Sequence, residues 1–376
     1  MYEQIREDII FIMLYTLVTG MAMIACCYLL LRRGNAFAPE VTPPVHLRRW
    51  TAALFAATTL NHLWYMPIFF LNSSEDLIMN DLAGGLLDSM TVFPLTIVVM
   101  FAMLQDRRRP LWPVAVIFAP LVAGNAWSVV TRSYVLLPML YAYSLLMCIV
   151  LIIYMVRATK QYGRWLRDNY ADLEHKEVWQ SFLVLSIILL VFVVYAFVYE
   201  GTAYLYAMQV ITAVLIGYLL WRVETLNSLT PDPSPTGEGS ADPAPDELYT
   251  PLSSRRGVGG EAVGAIGPLL KQYCEESCLY LQHDLNIHQL ARTVGTNRFY
   301  LSQYFSNQGM TYNTYINGLR IQHFMSLYQK AVAAQRPFTA RQLAFDSGYR
   351  SYSTFSAVFK QLKGQTVTAW MRDTTR

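Results

Sequence analysis

Apolar residues fill the first part of the chain in long unbroken runs; beyond Arg222 they recur at helical spacing among polar residues. Seven runs stand out: Ile9–Leu31, Trp50–Leu71, Leu82–Leu104, Leu111–Val130, Tyr134–Val156, Trp179–Tyr199 and Ala203–Trp221. Each is about 20 residues long, the length a helix needs to cross a hydrocarbon layer of roughly 30 Å. Pro113 and Pro120 interrupt the fourth run, which a spanning helix tolerates when neighbours satisfy the freed carbonyls. The leader before the first run, Glu3–Asp8, is acidic and the run is long, unlike a cleaved signal. The pattern predicts a seven-helix transmembrane bundle over residues 1–226.

Residues 227–262 change character. The stretch contains TPDPSPTGEGSADPAPDE and RRGVGG and has almost no large apolar side chain. It cannot bury enough surface to offset the entropy of ordering, so a flexible linker is expected. As a coil it would span roughly 30–35 Å. Such a tether averages out any rigid movement of the last span. That leaves dimerisation of the bundle, or proteolytic release, as routes by which a signal could reach the C-terminal part.

Residues 263–376 read as a separate soluble domain in which one pattern occurs twice. Leu285–Gly309 (LNIHQLARTVGTNRFYLSQYFSNQG) and Phe338–Gly364 (FTARQLAFDSGYRSYSTFSAVFKQLKG) each open with a polar cap, Asn286 or Thr339. A short helix with one apolar face follows. A glycine then comes five residues after its leucine, Gly295 or Gly348, where a tight turn needs positive φ. In the next helix Leu301 and Phe305, or Phe355 and Phe359, stand at i, i+4 to pack back on the first. This is the logic of a helix-turn-helix, in which one helix props and the next enters the major groove. Thr311–Val332 reads as one long joining helix whose stripe of Tyr312, Tyr315, Ile316, Leu319, Phe324, Leu327 and Tyr328 serves both modules. A rigid joining helix would set the modules about one turn of DNA, roughly 34 Å, apart.

Over about Leu281–Met371 the chain resembles the C-terminal domain of the AraC/XylS transcription regulators. The shared motifs are L-A-x-x-x-G with Y-L-S-x-x-F, the joining Y-I-x-x-L-R-I at Tyr315–Ile321, and A-x-x-x-G-Y…F-S-x-x-F-K at Ala344–Lys360. The chain departs from the family at Val367, which stands where relatives usually carry proline, and at Ala357, where they often carry a long polar side chain. The resemblance implies a double helix-turn-helix domain that binds double-stranded DNA. It places Asn297, Arg298, Phe299, Ser302 and Gln303 on the reading face of the first recognition helix, where Arg298 suits guanine, Gln303 adenine and Phe299 a thymine methyl. On the second helix it points to Tyr352, Ser353 and Thr354, with Arg350 and Lys360 placed for phosphate. Arg320 reads as an ion-pairing residue of the joining helix.

Composition and charge sharpen this all-α, two-part picture. Of the 376 residues 54% are hydrophobic and 15% charged, too apolar for one ordinary soluble domain. The net charge of +3 conceals an asymmetry: residues 263–376 hold twelve Lys/Arg against five Asp/Glu, as a polyanion-binding domain would. Between the runs, alternate loops carry twelve basic residues and two, Arg6 and Arg132. This orients the N-terminus outside and the C-terminal domain in the cytoplasm of a multi-pass inner-membrane protein. The polar groups His62, Asp88, Asn125 and Glu200, with Asn61, fall at membrane depth. They read either as an outward-facing ligand pocket or as interhelical hydrogen bonding. The five cysteines supply no metal or disulfide framework, no catalytic constellation is visible and no cofactor is expected. The expected partners are duplex DNA, the lipid bilayer, a second copy of the chain, and a small-molecule or membrane signal. A passive anchor or a transporter-like module are the other readings of the bundle.

Overall fold

The computed structural model describes residues 7–32, 35–37, 41–187, 202–229 and 266–374, and every regular element among them is helical. Two compact units result. One comprises Met1–Tyr162 and His175–Pro235; the other comprises Gly163–Glu174 and Thr236–Arg376. The second unit therefore recruits twelve residues from the middle of the chain, which no sequence pattern announces.

In the first unit α1 (Ile9–Leu31) matches its apolar run residue for residue. The Asp8 carboxylate starts it, accepting from the Ile10 and Phe11 amides at 3.1 Å. α2 (Val45–Tyr65) begins five residues before the apolar run and ends in a 3₁₀ turn, Met66–Phe69, at Pro67. The third run becomes two helices, α3 (Ser74–Met90) and α4 (Val92–Met103), with a break at Thr91. Pro94 explains the break, since it has no N–H to offer the Met90 carbonyl and its ring collides with that oxygen in a continuous helix. α5 (Trp112–Thr131), α6 (Leu137–Asn169) and α7 (Thr202–Thr225) follow. Residues 179–187 are also helical. The rest of the sixth run, with Glu200, lies outside the described residues.

Among the described residues five segments are long and apolar enough to cross a membrane: α1, α3 with α4, α5, α6 and α7. α2 carries His46, Arg48 and Arg49 in its first turns. In α1 the buried side chains Phe11, Val18, Ala22, Ala25 and Leu29 make one stripe, while Ile10, Met13, Ile24 and Leu31 are largely exposed. Apolar surface therefore faces outward as well as inward. Asn227–Leu229, expected to open the linker, are tied down: their amides donate to His175 O, Thr42 O and Gln105 Oε1, each at 2.8 Å. The rest of the expected linker lies outside the described residues.

Beyond Gly163–Glu174, the described residues of the second unit open with α8 (Ile266–Leu270), a π turn (Lys271–Glu276) and a 3₁₀ turn (Leu279–Leu281). The paired modules follow as α9 (Ile287–Val294) with α10 (Arg298–Asn307), and α12 (Ala340–Asp346) with α13 (Tyr352–Lys363). α11 (Tyr312–Ala333) joins them, and α14 (Val367–Thr374) closes the unit. The stripe of α11 splits between two cores. Tyr312 and Ile316 pack with Leu290, Leu301 and Phe305; Phe324 and Tyr328 pack with Leu343, Phe355 and Phe359. Val367, the residue in place of proline, is buried in the second core.

Candidate nucleic-acid interface

Each helix that supports the interface is started by its own side chain. Asn286 and Gln289 form a reciprocal capping box at α9, and Thr339 caps α12. Asn297 caps α10 through the Tyr300 amide at 3.0 Å, and Ser351 caps α13 through the Thr354 amide at 3.2 Å. The turn glycines adopt the left-handed backbone expected of them, Gly295 at φ 77° and Gly348 at φ 88°. Gly348 meets a second constraint: a Cβ there would lie 2.8 Å from the Leu281 backbone.

The sequence-expected reading residues gather at the starts of the two recognition helices. On α10, Asn297 and Gln303 are exposed, Arg298 and Ser302 half-buried, and the Phe299 ring is 70% exposed. The Asn297 Oδ1 is already engaged as a cap, so its amide nitrogen is the atom left to face a ligand. On α13, Ser353, Ala357 and Lys360 are exposed, while Tyr352 and Thr354 are half-buried, Tyr352 resting on Phe355. Arg350 forms an exposed ion pair with Asp284 at 2.7 Å. An exposed pair of this kind is worth little, so a phosphate can displace the carboxylate. The apolar partners of both helices, Leu301, Phe305, Phe355 and Phe359, are buried.

Arg320 has a different role from the one read in the sequence. It is 1% exposed and sits between the modules, its guanidinium bonding carbonyls rather than a carboxylate. Its Nε donates to Tyr280 O and its Nη2 to Gln282 O, both at 2.7 Å, and the guanidinium stacks over the Tyr349 ring at 5.5 Å. Burial lowers its pKa from the usual arginine value. Nearby groups are perturbed for the same reason. Burial, then the Lys330 charge, holds the His323 imidazole below 6.5, and burial pushes the Cys274 thiol up to about 12. His323 Nδ1 lies 3.0 Å from the Tyr280 hydroxyl.

In the first unit three of the polar groups singled out in the apolar runs, His62, Asp88 and Asn125, are hydrogen-bonded. His62 is buried, its Nε2 at 3.0 Å from Gln209 Oε1 and its Nδ1 at 2.9 Å from Thr58 O. Asp88 accepts from Asn61 Nδ2 at 2.5 Å and from the Tyr65 hydroxyl at 3.2 Å. Asn125 reaches only Gly85 O, at 3.5 Å. None of the three lines the groove of about 700 Å³ between α4, α5 and α6, whose walls are Phe101, Val114, Phe118, Met147 and Tyr154 with Arg107–Arg109.

Residues 290–373 match the family model of a helix-turn-helix domain. This stretch is similar to a helix-turn-helix domain, in keeping with the two modules that α9 with α10 and α12 with α13 build. No curated protein and no solved structure matches the chain.

Proposed function

We propose that the protein is a membrane-anchored, sequence-specific transcription regulator, in which a seven-helix bundle holds the DNA-binding domain at the cytoplasmic face of the inner membrane and passes a signal to it. The observation that carries the DNA-binding half of this reading is the pair of capped helices with exposed N-terminal faces, within the stretch that matches the helix-turn-helix family. In this reading α10 reads bases through Arg298, Phe299, Ser302 and Gln303, and α13 through Tyr352, Ser353 and Thr354. Arg350 and Lys360 hold phosphates. The membrane half rests on five apolar helices with outward-facing Ile, Leu and Met side chains, and on twelve basic residues in alternate loops against two. Its partners are duplex DNA, the bilayer, a second copy of the chain and a small-molecule or membrane signal. The His62–Gln209 and Asn61–Asp88–Tyr65 bonds favour these groups as glue between helices over a ligand pocket built from them.

The test is genome-wide mapping of the DNA bound by the full chain, followed by footprinting on the recovered sites. Arg298→Ala should cost about 1–3 kcal/mol at one base position and relax specificity there. Lys360→Ala should weaken all sequences alike and flatten the salt dependence. An Arg298→Ala protein with unchanged affinity and base preference would remove α10 from the interface.

A further inference from the structure

The segment Gly163–Glu174, which follows α6 residues of the first unit directly in sequence, belongs to the DNA-binding unit. It is held there by specific bonds. Asn313 Nδ2 on α11 donates to Tyr170 O at 3.0 Å and Ala171 O at 2.7 Å. Asn317 Nδ2, one turn on and nearly fully buried, donates to Ala171 O at 2.9 Å. Tyr170 pairs with Asn286 as an isolated antiparallel bridge, and the Ala171 side chain enters the first module's core.

One acidic residue of the segment is bonded at the start of the second recognition helix. Glu174 Oε2 accepts from Ser351 Oγ at 2.6 Å and Thr354 Oγ1 at 2.8 Å, the cap and third residue of α13. Asp168 is within electrostatic reach of Arg298, the first residue of α10, and Asp172 within reach of Arg320. A helix N-terminus with free amides and a hydroxyl pair is a natural seat for an anion. Here the anion is a carboxylate of the chain itself, bonded to Thr354, a residue assigned above to DNA contact.

We propose that Gly163–Glu174 is an internal competitor of DNA, a latch that seats the Glu174 carboxylate on Ser351 and Thr354 and occupies the start of α13 until it is withdrawn. This rests on the reading of α10 and α13 as DNA-contacting helices. The latch is continuous in sequence with α6 and so joins the end of that helix to the DNA-binding surface. The charged contacts are lost when DNA replaces them, while Asn313 and Asn317 bond backbone carbonyls and give the closed state its geometry. Latch and DNA exclude one another, so whatever draws on α6 changes DNA affinity.

Two measurements on the full chain in detergent micelles test this, with a short mixed-sequence fluorescent duplex as the probe. In the first, Glu174→Gln is compared with wild type by anisotropy. The variant should bind the duplex on the order of tenfold more tightly, and equal binding by the two proteins would overturn the latch. In the second, the pair Glu174→Cys and Thr354→Cys is oxidised in a background carrying Cys27→Ser and Cys278→Ser. A cross-link should form without DNA and abolish duplex binding until it is reduced. Failure of the cross-link would show that the segment does not dock, and a cross-linked protein that still binds DNA would show that docking does not mask. If the cross-link forms and no variant or reduced protein binds duplex, the DNA-binding reading itself falls while the docking stands.

Discussion

Arg320 shows how much one side chain can organise. Its guanidinium satisfies carbonyls of the segment before the first module and lies against the tyrosine that follows Gly348 in the second. An ammonium cannot reproduce this planar fork or its stacking. Arg320→Lys should therefore destabilise the domain by about 2–3 kcal/mol and Arg320→Met by about 3 kcal/mol or more, since both leave buried carbonyls unpaired. Hydrogen exchange on the full chain should show faster exchange in α9–α13, and unchanged protection would refute the clamp. The sequence displays an arginine in an L-R-I motif but not its partners. They are backbone oxygens, a chemistry every residue shares, and so side-chain identity does not point to them.

At the scale of elements, the legible features were the local ones. Caps at Asn286 and Thr339, positive φ at Gly295 and Gly348, and the i, i+4 pairs of α10 and α13 each depend on residues within one turn, so they can be read from order alone. The break at Thr91 also had a visible cause in Pro94, yet a continuous apolar run conceals it. What could not be read was the alliance of Gly163–Glu174 with α9, α11 and α13, because its anchors join positions far apart in the chain through carbonyls. In the sequence Glu174 is one charge among several between Arg164 and Lys176. The turn into α13 gives the sharpest test of element geometry. Gly348→Ala places a Cβ against the Leu281 backbone in a left-handed conformation, and should cost about 2 kcal/mol or more. Gly364→Ala pays the backbone strain alone, because its Cβ would meet open space. Thermal melting should rank the two in that order, and equal losses would show that the Leu281 contact yields.

For the whole molecule, reporter fusions after Ala36, Ser74 and Asn227 should read inside, outside and inside; an outside signal at Asn227 would place the helix-turn-helix domain away from DNA and end the proposal. Arg320 and α11 also have a consequence for the DNA. In the proposed function, two helices fixed to one rigid joining helix cannot adjust their separation, so they demand a matching rotational phase of the two grooves they would enter. With about 10–10.5 base pairs per turn, one inserted base pair turns the far groove by about 35° away from its helix. A site for this protein is then a single unit of fixed pitch. It tolerates a changed letter more readily than an added one.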